Sequence, residues 1–319
     1  PGGHYVTSPT PPPVSWSTDG LPGRAPFLGM IDLGTCARHA VARREWYPVQ
    51  CMVHPGKMVV ELARWLIERY SRPGQRVLDP MAGIGTTLVE ALRLNRCAAG
   101  VELERRWAML ARAALDQAKR RLPAALRPGA VWFRVGNAKH LRRLLPWDAP
   151  YHLILTSPPF GPTGHHPGRH SEMQRRIIRD LHLTGAMEDY GDHPDQIGNH
   201  DRPYGSVAGV ASGEDRACGP TARSSFLYEW AAILGAFARV PPANGLVLVH
   251  IKNFVRQARV VRLDLDTVTL AEAGGLHYVG YHLRPIRPGF YQHVQRKRNP
   301  AYPLVEHEHV LVFRRPDAP

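Results

Sequence analysis

Between Gln75 and Thr156 short apolar runs alternate with longer amphipathic ones, and few folds accommodate that order. QRVLDP, RCAAGVELE, VWFRVGN and YHLILT have the length and aliphatic content of strands buried on both faces. Between them lie GTTLVEALRLN and RRWAMLARAALDQAKRRL, with apolar residues at helical spacing, and a shorter segment around KHLRRLL. A strand–helix–strand crossover joins parallel neighbours, so the pattern predicts an α/β chain with a mostly parallel sheet and helices on both faces. Upstream, MVVELARWLIERYS (58–71) reads as a helix stopped by Pro73-Gly74. Downstream, SSFLYEWAAILGAFARV and VTLAEAGGL read as helices. GLVLVHIKNF, HYVGYHLRPI and HEHVLVFRR read as strands and bring the sheet to seven, with a basic loop carrying Arg296, Lys297 and Arg298 before the last one.

The alternation breaks once. From Gly161 to about Thr221 the chain turns to Gly, His, Asp and Arg, with SEMQRRIIRDLHLTG as a short helix and the remainder loop-like. An insertion of that length is usually functional or disordered. Residues 1–25, rich in Pro, Gly and Ser, read as a flexible leader. The expected organisation is therefore one domain, 26–160 plus 222–319, with 161–221 inserted after the fourth strand as a lid.

Charge narrows the partners. Lys and Arg number 41 against 27 Asp and Glu, a formal net charge of +14 over 319 residues, which favours a polyanion such as nucleic acid. The stretch from Ser171 to His200 holds six carboxylates against three arginines, so the insertion is not a uniform phosphate clamp. The four cysteines lack CxxC spacing and His165, His166 and His170 lack ligand spacing, so no metal is expected. With no signal peptide and no run of 18 apolar residues, the expected location is the cytoplasm.

In sheets of this kind ligands bind beyond the carboxyl ends of the strands. That rule puts Asp79, Glu102, Asn137 and Ser157 on one rim. After Asp79 the chain runs PMAGIGTT, where Gly83 and Gly85 permit a sharp turn with close backbone approach to a ligand, and a helix begins at Thr86 or Thr87. The turn lacks both GxGxxG spacing and the lysine of a P-loop. Glu102, 17 residues past Gly85, ends the next strand where a carboxylate can accept from both ribose hydroxyls of an adenosyl group; equally, it is a solvated strand end. Asn137 can reach an adenine edge or form a turn.

HPGKM, YSRPGQRVLDPMAGIGTTLVEA, GVELE, GNA, LILTSPPF, LVLVHIKNFVR and EHVLVFRR, in that order, resemble the S-adenosylmethionine-dependent DNA amino-methyltransferases, which act on cytosine N4 or adenine N6. The likeness spans roughly 50–160 and 226–314. It implies a Rossmann-like class I methyltransferase fold and S-adenosylmethionine as cofactor. The segment His54, Pro55, Lys57 would flank the cofactor. Asp79, Pro80, Met81, Ala82, Gly83 and Gly85 would hold its methionine moiety, Glu102 its ribose and Asn137 its adenine. Thr86, Thr87, Leu103, Ala138 and Thr156 complete the implied cofactor contacts. Met81 stands where the family often has an aromatic residue, and Asn137 where it more often has Asp.

Ser157, Pro158, Pro159 and Phe160 match the family's catalytic tetrad, and the serine resembles the cytosine-N4 branch. The chemistry suits those residue types. An exocyclic amine is a poor nucleophile, and Ser157 Oγ with the Pro158 carbonyl can accept its protons while Phe160 stacks on a flipped base. Cytosine C5 transfer needs a thiolate, and the chain has no Pro-Cys pair. DNA contacts are expected from Arg175, Arg176, Arg179, Arg296, Lys297 and Arg298, with Asn253 shaping the base pocket or simply a turn. DNA is the expected partner, and a cognate restriction enzyme a candidate one. Adenine N6, an RNA amine, or a non-catalytic nucleic-acid-binding protein on the same fold remain open alternatives.

Overall fold

A computed structural model describes residues 27–33, 43, 45–123, 131–145, 151–161, 179, 190–191, 193–199, 202–217, 222–240, 245–287 and 290–315. The leader, Arg175 and Arg176, the three histidines of 165–170 and most of the inserted helix read from the sequence lie outside these residues.

In chain order the elements are β1 (Phe27–Met30), α1 (Val60–Tyr70), β2 (Arg76–Asp79), α2 (Thr86–Arg93), β3 (Cys97–Glu102), α3 (Arg105–Arg121), β4 (Trp132–Val135), α4 (Leu141–Leu144), β5 (Leu153–Thr156), α5 (Val207–Ser212), α6 (Phe226–Ala238), β6 (Leu246–Ile251), β7 (Phe254–Arg256), β8 (Arg259–Val261), α7 (Leu263–Ala273), β9 (His277–Pro285), α8 (Phe290–Arg298) and β10 (His307–Arg314). Eight strands form one sheet in the order β1-β9-β10-β6-β5-β2-β3-β4. The five from β6 to β4 are parallel, whereas β10 runs antiparallel to both β6 and β9.

The reading of an α/β chain with a mostly parallel sheet holds, with one strand more than the seven expected. The extra strand is FLGM at the edge, parallel to β9, anchored by the Ile31 amide on the Leu283 carbonyl at 2.8 Å. Four residues with both ends exposed leave no buried alternation to read. Two more strands, β7 and β8, make a separate hairpin whose turn residues Gln257 and Ala258 take φ of 51° and 57° without a glycine. The usual Asn-Gly signal is absent there, so the sequence hides the hairpin. Two segments expected as loops contain helices. Arg296, Lys297 and Arg298 sit on helix α8, and within the insertion Ser206 caps helix α5 by accepting from the Gly209 amide.

Side chains alternate strictly across the central strands, because successive residues of a strand face opposite sides. Leu78, Ile154, Val247, Val249, Leu311 and Phe313 face α6 and α7, while Val77, Leu153, Leu155, Leu248, Val310 and Val312 face α1, α2 and α3. Both faces are thus buried, which is why these strands read as almost continuous apolar runs. The strand order reverses between β2 and β5, and the crevice at such a reversal is where open α/β sheets bind ligands. No helix among the described residues is long and apolar enough to cross a membrane.

Candidate active site

The turn after β2 is built by the residues that close it. Asp79 is buried and its Oδ1 accepts from the Met81 amide at 3.1 Å and from Thr156 Oγ1 at 3.0 Å. Burial pushes the Asp79 carboxyl up to about 6, against the pull of those hydrogen bonds and of Thr87. Gly83 takes φ +53°, and a Cβ on it would stand 3.2 Å from His54 Nε2. Glu102 then locks the turn from the next strand. Its Oε2 accepts from the Gly83 amide at 2.7 Å and its Oε1 from the Glu104 amide at 2.9 Å. Burial dominates its titration and pushes the carboxyl up to about 7, with Glu104 and Asp79 adding to the rise.

Opposite the turn, the chain leaving β5 brings Ser157, Pro158, Pro159 and Phe160 into the wall of the same cavity, an open cleft of about 1090 Å³. Pro158 and Pro159 are buried, and Ser157 and Phe160 are half-buried. Ser157 Oγ lies 3.1 Å from His250 Nδ1, and His250 meets the Phe160 ring edge-on at 5.6 Å. The ammonium of Lys252 lies 5.7 Å from the centre of the Phe160 ring.

The residues expected at a cofactor sort into two groups. His54, Lys57, Asp79, Pro80, Met81, Ala82, Gly83, Thr86, Thr87, Glu102, Leu103, Asn137 and Ala138 all line the cleft. Pro55, Gly85 and Thr156 do not line it. Gly85, at φ +80°, brings the start of α2 against α3, where a Cβ would meet that of Ala111 at 3.3 Å, and Thr156 supports Asp79 from beneath. Lys57 lines the cleft, yet its ammonium is turned back onto the carbonyls of Met52 and His54. Burial lowers it to about 8.

Of the residues expected on nucleic acid, Arg179 is exposed, as are Arg296, Lys297 and Arg298 at the end of α8, where Arg296 also donates to the Tyr302 carbonyl at 2.9 Å. Asn253 takes the structural role that its sequence position also allowed. It is buried outside the cleft lining, its Oδ1 accepts from the Asp264 amide at the start of α7, and its Nδ2 faces His309 at 3.4 Å.

Two sets of site residues escaped the sequence. His250 is the penultimate residue of β6 and Glu308 the second of the antiparallel β10, and both line the cleft beside Ser157. The rim rule would have found His250, but not Glu308, because an antiparallel strand presents its amino end there. The second set is the inserted stretch around 190–199, which contributes Tyr190, Asp195, Gln196 and Ile197. Trp107 Nε1 donates to the Tyr190 carbonyl at 2.5 Å, and Glu104 Oε1 accepts from the His193 amide at 3.1 Å. Asn137 donates to Asp195 at 2.8 Å while Lys139 bridges Asp195 and Glu229 at 3.2 and 2.7 Å. Among the described residues no group of three or more His, Cys, Asp or Glu is arranged to hold a metal ion.

A family model described as DNA methylase (N6_N4_Mtase) matches residues 35–112. The match takes in the glycine turn and Glu102 and ends before Ser157. No curated protein sequence matches the chain. Solved structures with a similar chain course include a SAM-dependent methyltransferase from Methanosarcina mazei (11% identity, 79% of this chain and 98% of that chain, TM-score 0.43). Another is a putative sarcosine dimethylglycine methyltransferase from Galdieria sulphuraria (11% identity, 82% and 86%, TM-score 0.45).

Proposed function

We propose that the protein is an S-adenosylmethionine-dependent methyltransferase acting on the exocyclic N4 amine of cytosine in DNA. One observation carries the reading: the Ser157–Phe160 corner and the Gly83–Glu102 turn face each other across a single cleft. The match of residues 35–112 to the DNA methylase model supports it, as does the +14 net charge.

The cleft fits the cofactor. Gly83 leaves backbone open where a side chain would crowd His54, and Glu102 presents a carboxylate suited to two ribose hydroxyls. Met81, Ala82 and the first turn of α2 border the methionine end, and Asn137 the adenine end. When bound, S-adenosylmethionine supplies an electrophilic methyl group on a sulfonium, whose C–S bonding pair stays with sulfur after transfer.

The chain's own residues do the rest. Phe160 stacks on the flipped base and fixes its plane. Ser157 Oγ and the Pro158 carbonyl accept hydrogen bonds from the amine protons, favouring the tetrahedral nitrogen whose lone pair can attack. Pro158 and Pro159 stiffen the backbone so that the carbonyl keeps its direction. Orientation of amine and methyl in line is the main contribution, with no covalent enzyme intermediate. Arg296, Lys297 and Arg298 contact phosphates.

Incubation with methyl-labelled cofactor and DNA or RNA, followed by nucleoside mass spectrometry, tests the reading. N4-methylcytosine in DNA is the expected product. N6-methyladenine or a methylated RNA nucleoside would change the acceptor, and no labelled nucleoside together with no cofactor binding would sink the assignment.

The 190–199 segment provides a second check. Gly191 has φ +147°, and a Cβ there would stand 1.9 Å from Glu104 Cδ. Gly191→Ala is expected to lift the segment off Glu104 and weaken cofactor binding by about tenfold, the effect of ~1.4 kcal/mol. Titration calorimetry reads the change, and unaltered affinity would remove the segment from the cofactor site.

A further inference from the structure

Behind Ser157 lies a chain of buried polar groups that the methyl-transfer chemistry described above does not use. His250 is 2% exposed, and its Nδ1 faces Ser157 Oγ at 3.1 Å while its Nε2 lies 2.9 Å from Glu308 Oε2. Glu308 is in turn gripped by Arg284, whose Nε and Nη2 donate to the same Oε2 at 2.8 and 2.5 Å. The three residues come from β6, β10 and β9, adjacent strands whose ends meet only in the folded sheet. A buried carboxylate on a ring nitrogen fixes the imidazole tautomer, as other histidines in proton-transfer sites show. With its Nε2 proton directed at Glu308, a neutral imidazole leaves the Nδ1 lone pair facing the Ser157 hydroxyl.

We propose that His250 is a positioning residue that accepts, through Ser157, the proton released by the methylated amine. The inference rests on the methyltransferase reading. As nitrogen gains the methyl group it becomes cationic and must lose one proton. That proton passes to Ser157 Oγ, the serine's own proton passes to His250 Nδ1, and the imidazolium that results is balanced by Glu308 until it releases its proton to solvent. Ser157 ends as it began, and the base ends neutral. No oxidant, metal or second substrate enters the step.

The surroundings are matched to this role. Burial alone would raise the Glu308 carboxyl, but His250 and Arg284 more than offset it and hold it down to about 2. Among the described residues, His309 on β10 interacts electrostatically with the imidazole, and Lys252 just past β6 lies over the Phe160 ring that His250 meets. Asp264 faces His309 at 3.7 Å. Glu308 is the carboxylate in direct contact with His250, so an imidazolium formed in the transfer loses its balancing charge when Glu308 is removed.

Two measurements test the proposal. In the ligand-free protein, 15N–1H spectra of the imidazoles, with His250→Gln identifying the signal, are expected to show the Nε2–H tautomer with a hydrogen-bonded Nδ1. Ser157→Ala should move the Nδ1 resonance and leave Nε2 in place. An Nδ1–H tautomer, or a signal indifferent to Ser157→Ala, overturns the relay whatever the protein's activity. In single-turnover methyl transfer, Glu308→Gln is expected to slow the rate by ~100-fold, the scale of general acid–base assistance, and to shift the acidic limb of the pH–rate profile to lower pH. Cofactor affinity should be unchanged. A uniform loss of rate with no shift of the limb would mark a purely structural role. If the wild-type protein methylates no nucleoside while the tautomer is as expected, the functional reading fails and the hydrogen-bond chain stands.

Discussion

Replacing Glu102 with alanine is expected to weaken S-adenosylmethionine binding by roughly 100-fold, since two hydrogen bonds to a charged acceptor are worth about 3 kcal/mol together. The change also strips the Gly83 amide of its partner, so the turn loses its lock at the same time. Calorimetry at several pH values adds a signature that mere loosening would not give. In the ligand-free protein burial pushes the Glu102 carboxyl up to about 7, and ribose hydroxyls donate best to the ionised form. Affinity should therefore rise as pH increases through 7 and flatten above it, by about tenfold between pH 6 and pH 8. Glu102→Ala should abolish that rise, and unchanged affinity would remove the ribose role. Stability runs the other way. A carboxyl whose folded-state pKa lies above the unfolded value stabilises the fold most at low pH, and its contribution declines as pH climbs from about 4.5 to about 7.

Phe160→Ala is expected to separate base capture from cofactor capture. Stacking on an aromatic ring is worth ~1–3 kcal/mol per base, so single-turnover methylation at subsaturating DNA should fall by about 10- to 100-fold. Cofactor affinity should stay within about twofold, a change well below 1 kcal/mol, because the residues bordering the cofactor end come from the turns after β2, β3 and β4 and from the segment before α1, not from the chain leaving β5. The ring is already arranged for a flat ligand. His250 meets it from the edge, and a base arriving on the face near Lys252 exchanges a cation for a π surface. An equal loss of cofactor affinity would show that Phe160 only props the cleft open.

The legible parts of this protein are those whose signal is local. The run from β2 through the glycine turn into α2 carries its strand, its turn and its helix start in a dozen consecutive residues. The double alternation of β5 and β6 shows as unbroken apolar runs because both faces are covered. Ser157 to Phe160 stand out because two prolines and an aromatic are a poor way to end a strand unless something is to be gripped. Elements with weak local signals were lost. FLGM is too short and too exposed to alternate, and the β7–β8 turn adopts positive φ with Gln257 and Ala258, which announce nothing. Arg296 to Arg298 read as a loop because a polar helical turn and a basic loop share a composition.

The sequence by itself determined the α/β layout, the rim on which the cleft opens, and the residues of the glycine turn and the serine corner, since each depends on neighbours within a few positions. Tertiary structure decided what stands behind and over them. Glu308 reaches His250 across 58 residues because β10 is inserted antiparallel beside β6, and His250 reaches Ser157 across 93 because β6 pairs in parallel with β5. Asp195 reaches Asn137 across 58 residues, because the 190–199 segment folds back on Trp107 and Glu104. It also placed Asn253 against the start of α7, where its side chain accepts from the Asp264 amide. Such contacts are set by strand order and by the path of an insertion, and neither leaves a periodic trace in the chain.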